Sequence, residues 1–131
     1  MTLFGENAPA LAALLFLIIT YAFSIGEKLL DWQGTLTFLK DHFKQHSVKK
    51  FILPLTIILI VLEIITLGFL VFGVVEMVLN NQFQFAKIGA ELSAITILFM
   101  LIGQRIAKDY PGAMNLGVYM LLNIFLLYLV F

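Results

Sequence analysis

Four long apolar runs divide the chain, at about residues 9–27, 51–79, 85–107 and 113–131. At roughly 1.5 Å of rise per residue, a helix over each reaches across a hydrocarbon core about 30 Å thick. The second run is longer than that, which predicts a tilted helix or an emergent end. The prolines fall where helices accept them. Pro9 suits a first helical position, where its missing N–H costs nothing, and Pro54 falls in a first turn. Pro111 and Gly112 punctuate the last link, so the fourth helix is predicted to start at Ala113.

The segment 31–50 breaks the pattern because it is too polar to span. Leu36, Phe38, Leu39 and Phe43 recur at near-helical spacing, with Lys40, Asp41, Lys44 and Gln45 between or beside them. This predicts a short amphipathic helix lying at the membrane interface, with Trp32 at headgroup level. The expected fold is therefore all-α: one domain, a four-transmembrane-helix bundle, and a short interfacial helix between the first and second spans.

Composition agrees. Hydrophobic residues make up 62% of the 131 residues and charged residues 12%, about half the charged fraction usual for a soluble domain. A soluble fold of this length has no way to hide so much apolar surface, whereas a lipid-facing bundle has no need to. Net charge is zero and no basic face is visible, so nucleic acid is not an expected partner. The absence of cysteine excludes disulfides, thiolate ligands, iron–sulfur centres and dithiol redox chemistry. The first residues lack Lys and Arg and carry Glu6, the wrong sign for a cleaved leader, so the first run is expected to stay as an anchor.

Charge sets the expected orientation. Lys28, Lys40, Lys44, Lys49 and Lys50 lie between the first two spans, and Arg105 and Lys108 lie between the last two. Those two links share one side and hold seven of the eight basic residues, with Lys87 alone opposite. The positive-inside rule then puts both links in the cytoplasm and both termini outside, in the periplasm for a bacterial inner membrane.

Glu63 carries the main chemical question. No other charge lies within residues 51–75. Counting along the spans brings Asn123, Thr96, Thr20 and Tyr21 toward the same layer, so Asn123, Thr96 and Thr20 are the expected hydrogen-bond partners of its carboxyl group. Burial disfavours the charged form of a carboxyl group. One reading is a proton-handling or ligand-binding group, since intramembrane ionisable residues are functional candidates by default. The other is a protonated Glu that ties helices together. The lack of a second mid-membrane acid or a buried base favours the latter.

Other polar groups gather at the span ends. Glu27, Lys28, Asp31, Gln104, Arg105, Lys108 and Asp109 share the cytoplasmic end, where Arg105 is expected to pair with Glu27 or Asp31. That cluster is either a pocket for a lipid or quinone head or a solvated network of weak ion pairs. At the opposite end, Glu76, Lys87 and Glu91 are expected to staple a hairpin, with Lys87 and Glu91 four residues apart. His42 and His46 share a helix face but lack an obvious third ligand, so no metal site is expected. No His lies inside a span, which excludes a transmembrane bis-His haem. Ala86, Ala90 and Ala94, flanked by Gly89 and Ser93, mark one close-contact face, and Ala22 with Gly26 marks another.

Several fragments together resemble one family. Glu27-Lys28-Leu29-Leu30-Asp31-Trp32, then Gly34-Thr35 and Phe38, resembles the end of the first helix and the first loop of DoxX-like membrane proteins. Pro54 and Glu63 resemble that family's second helix. Gly103-Gln104-Arg105-Ile106-Ala107-Lys108-Asp109-Tyr110, then Gly112-Ala113, resembles its link into the fourth. The resemblance implies a four-helix bacterial inner-membrane protein with family-typical positions at Glu27, Lys28, Asp31, Glu63, Gln104, Arg105 and Asp109. Some relatives are subunits of thiosulfate:quinone oxidoreductase or of other membrane-bound oxidoreductase assemblies. Thiol chemistry known in cysteine-bearing relatives does not transfer to a chain without cysteine. The leading expectation is a non-catalytic accessory subunit of a larger inner-membrane complex, respiratory in the version the resemblance suggests, with lipid and other membrane subunits as partners and no cofactor of its own. The alternatives are a quinone- or lipid-binding oxidoreductase component using the Glu27/Arg105 end, and a proton-coupled small transporter using Glu63.

Overall fold

The computed structural model describes residues 7–42, 52–106 and 110–131. Five helices account for nearly all of them: α1 Ala8–Leu30, α2 Trp32–His42, α3 Ile52–Asn80, α4 Gln84–Ile106 and α5 Tyr110–Val130. All but α2 are long and apolar enough to cross a membrane. They run alternately up and down and pack in the ring α1–α3–α4–α5, with α3 against α4 the most extensive pair and α1 against α5 the slightest. Leu14, Leu17, Leu70, Met77 and Leu126 fill the centre, while Phe23, Phe72 and Leu121 stand exposed on the rim. An apolar rim around a partly polar centre is the arrangement of a small multi-pass integral membrane protein.

The helix ends show how the chain turns. Asp31 closes α1 through its backbone N–H to the Glu27 carbonyl at 3.4 Å. Its Oδ1 also accepts the Gly34 N–H at 3.2 Å, which caps the first turn of α2. At the other end of the bundle, Asn81 has φ 52° and donates its N–H to the Met77 carbonyl at 3.1 Å. This is a left-handed C-cap, a conformation asparagine tolerates better than most residues. The Asn81 Oδ1 accepts from the Asn7 side chain at 2.8 Å, tying the start of α1 to the α3–α4 turn. Glu76 Oε1 accepts the Phe85 N–H at 3.0 Å, satisfying an otherwise orphaned donor at the start of α4.

Two boundaries differ from the sequence reading. α1 continues to Leu30, because nothing in Glu27-Lys28-Leu29-Leu30 breaks a helix. α5 begins at Tyr110 and takes Pro111 and Gly112 into its first turn, where a missing N–H leaves no intrahelical bond unmade. The interhelical faces differ too. A Cβ added to Gly73 would lie 2.8 Å from Ala86 Cα, so the α3 and α4 backbones nearly touch there. Ala86 and Gly89 are buried on that seam, Ala90 and Ser93 are buried where Asn123 of α5 and Tyr21 of α1 reach them, and Ala94 is half-buried. Ala22 is exposed and Gly26 has open space around it, so the expected small-residue contact on α1 is not used among the described residues.

Candidate functional site

Thr20, Ser24 and Lys28 stand four residues apart on α1 and so share one face of it. Side chains on a helix lean toward its N-terminus. Lys28, in the last turn of α1, therefore reaches back over Ser24 and into the bundle. Its Nζ donates to Ser24 Oγ at 2.6 Å and lies 3.2 Å from both Oε1 and Oε2 of Glu63 on α3. Ser24 in turn donates to Glu63 Oε1 at 2.8 Å. Glu63 is completely buried, whereas the Lys28 side chain keeps 19% of its surface exposed. The carboxylate is thus held by an ammonium whose stem runs from the end of the neighbouring helix. Among the described residues this is the one ion pair.

The pair corrects the partners expected for Glu63. Thr20 donates to its own helix, at the Phe16 carbonyl, 2.9 Å away. Thr96 donates to the Leu92 carbonyl at 2.8 Å and shares a hydrogen bond with Thr66 at 3.2 Å. Asn123 donates to the Ala90 carbonyl at 3.0 Å, and its Oδ1 finds no protein partner among the described residues. Counting along a span gives depth and not the direction a side chain takes around the helix. Depth itself shifts as well. Ser24 sits about 9 Å from the end of α1 and Glu63 about 16 Å from the start of α3. Because the two meet, α3 starts roughly a turn beyond the end of α1, and Glu63 lies nearer that end of the bundle than its own helix suggests.

A second polar link crosses the centre. The Tyr21 hydroxyl and Ser93 Oγ lie 2.8 Å apart in a shared hydrogen bond, joining α1 to α4 across the bundle. Both residues are buried.

Beside the ion pair is a cavity of about 400 Å³, within the size range of small-molecule sites. Thr20, Tyr21, Phe23, Ser24 and Glu27 of α1 line it, with Glu63 from α3, Met100 from α4 and Tyr119 from α5. It lies where α1 and α5 pack least. Lys28 is not part of its lining.

The span-end clusters do not assemble as the sequence suggested. The Arg105 guanidinium stacks over the Tyr110 ring at 5.2 Å and pairs with neither Glu27 nor Asp31. Asp31 caps α2, and Gln104 keeps a buried Oε1 without a protein partner among the described residues. Asp109, Lys108 and His46 lie outside the described residues. At the far end, Glu76 caps α4 and Lys87 sits 5.3 Å over the Phe131 ring, with Glu91 exposed and apart from both. Exposed ion pairs contribute little, so cation–ring contacts and caps compete with them on equal terms. Among the described residues no three His, Asp or Glu side chains converge. The site offers charge, hydroxyls and an apolar wall.

Ser24 was the residue missed in sequence. Its signal was the fourfold spacing Thr20, Ser24, Lys28, which puts a hydroxyl and an ammonium on the face opposite a lone intramembrane acid. No family model, curated protein or solved structure matches the chain.

Proposed function

We propose that this integral membrane protein binds an amphipathic small molecule in the cavity between α1, α4 and α5. The observation that carries the reading is an apolar cavity of about 400 Å³ whose wall includes Ser24 and Glu63 of the part-buried Ser24–Glu63–Lys28 group. Pockets that combine an apolar lining with a few convergent polar groups are the usual form of ligand sites. The ligand enters from the lipid through the α1–α5 side, with its tail along Phe23 and Tyr119 and its head toward the Ser24 and Glu27 end of the wall. A lipid or a quinone both belong to this broad class. The bundle then sits in a bacterial cytoplasmic membrane, with the Lys28 and Arg105 end inside, as the distribution of basic residues favours.

The test is photolabelling in lipid nanodiscs with a neutral monoacylglycerol that carries a diazirine in its chain. Labelling should concentrate on peptides containing Phe23 and Tyr119 and should fall when Thr20→Phe fills the cavity. Thr20 makes no hydrogen bond to another helix, so this variant keeps the tertiary links. Labelling spread evenly over all lipid-facing helices, and indifferent to Thr20→Phe, overturns the reading.

A second reading has its own observation. The exposed Ala22 and the open space at Gly26 leave α1 with a small-residue face that no helix among the described residues covers. Such faces suit close approach by another span, which favours a place as an accessory subunit in a larger membrane complex. Co-purification in mild detergent of a defined partner, lost on Gly26→Leu, supports it; isolation as a lone bundle under every condition argues against it.

A further inference from the structure

The hydrogen-bonding capacity of the cavity wall is lopsided. A lysine ammonium has three N–H donors and no acceptor. Lys28 turns its ammonium to Ser24 Oγ, Glu63 Oε1 and Glu63 Oε2 and takes no part in the cavity lining, so it presents no donor to a bound molecule. The Ser24 hydroxyl hydrogen is also committed, to Glu63 Oε1. Acceptors, in contrast, remain. Glu63 is wholly buried, so the acceptor open to a bound molecule lies elsewhere on the wall. Glu27 lines the cavity, is exposed, and pairs with no cation among the described residues.

Charge points the same way. Lys28 and Glu63 neutralise one another, which leaves the Glu27 carboxylate as the net charge of the wall. A carboxylate beside low-dielectric walls acts more strongly than one in open water. The rings of Phe23 and Tyr119 complete the lining, and ring faces attract cations. A carboxylate or phosphate head would meet an acceptor-rich wall with no free ammonium and would be repelled by Glu27.

Resting on the ligand-binding reading above, we propose that the cavity selects a protonated amine with a single apolar tail. The ammonium of the ligand donates to Glu27, and the tail leaves along Phe23 toward the lipid.

Three diazirine-tailed probes with identical chains test this: a primary alkylamine, an alkyl glycerol ether and an alkyl carboxylate. Each is titrated onto protein in zwitterionic nanodiscs, and cavity labelling is normalised to labelling at the lipid-facing Phe72 of α3, which cancels membrane partitioning. The amine is expected to reach half-maximal cavity labelling at about tenfold lower concentration than the ether. Glu27→Gln is expected to reduce that gap to about threefold or less. Glu27 is exposed and its side chain bonds no other helix among the described residues, so the variant is expected to fold. Equal or better labelling by the ether or the carboxylate overturns the amine proposal while leaving the cavity reading in place. An amine preference untouched by Glu27→Gln overturns the role given to that carboxylate and with it the proposal. Cavity labelling by none of the three overturns both the proposal and the reading beneath it.

Discussion

Lys28 and Glu63 meet across α1 and α3 with both carboxylate oxygens 3.2 Å from the ammonium nitrogen. Removing one partner of a buried pair leaves an uncompensated charge, which is far more costly than removing both. Lys28→Met is therefore expected to destabilise the bundle by about 2–4 kcal/mol. Adding Glu63→Gln to Lys28→Met should restore most of that loss, since an uncharged amide is cheaper to bury. Unfolding in mixed micelles by titrated SDS measures both variants. Two additive losses would show that the pair does not form.

The α3–α4 seam depends on a missing side chain. Gly73→Ala places a Cβ 2.8 Å from Ala86 Cα, and two backbones must separate to admit it. The expected loss is about 1–3 kcal/mol. Gly117→Ala meets nothing within 4 Å and should change stability by less than about 0.5 kcal/mol. The same micellar unfolding assay separates the two.

Much of this helix face is legible in sequence. Ala86, Gly89, Ala90 and Ser93 form a stripe whose meaning survives any small error in register, because several residues vote for the same face. The four spans were legible for a similar reason: long apolar runs leave little choice in lipid. Glu63 is a single residue, and its partner depended on how α1 is rotated and how far α3 projects past it. Neither quantity is written in a hydrophobic pattern. Ala22 and Gly26 show the reverse error, since a small pair marks a possible contact without saying whether the partner lies in the same chain. Arg105 stacks on Tyr110 and not on an acid because, at an exposed end, several weak partners compete within a fraction of a kcal/mol.

The turn between α3 and α4 relies on backbone handedness at Asn81, with φ 52°. Asn81→Gly should be close to neutral, whereas Asn81→Val should cost about 1–2 kcal/mol, because a branched side chain resists this region. Hydrogen exchange across Met77 to Phe85 reports the change locally. Equal protection in both variants would remove the conformational argument.

Tyr21→Phe deletes the hydroxyl that reaches Ser93 at 2.8 Å while keeping the ring. The expected loss is about 0.5–1.5 kcal/mol. Ser93→Ala should cost a similar amount, and the double variant should cost less than the two together, because one shared bond is being removed twice. Strict additivity in the unfolding assay would show that the hydroxyls act separately.

The reach of Lys28 from the end of one helix to the middle of the next has a consequence for biogenesis. Translation delivers the first hydrophobic segment to the bilayer while its acidic counterpart is still within the ribosome. Until then the lysine, in the last turn of its helix, can keep its ammonium wet. The acid of the following span has no such refuge and must find that ammonium as it enters. Their meeting ties the vertical register of the second span to that of the first.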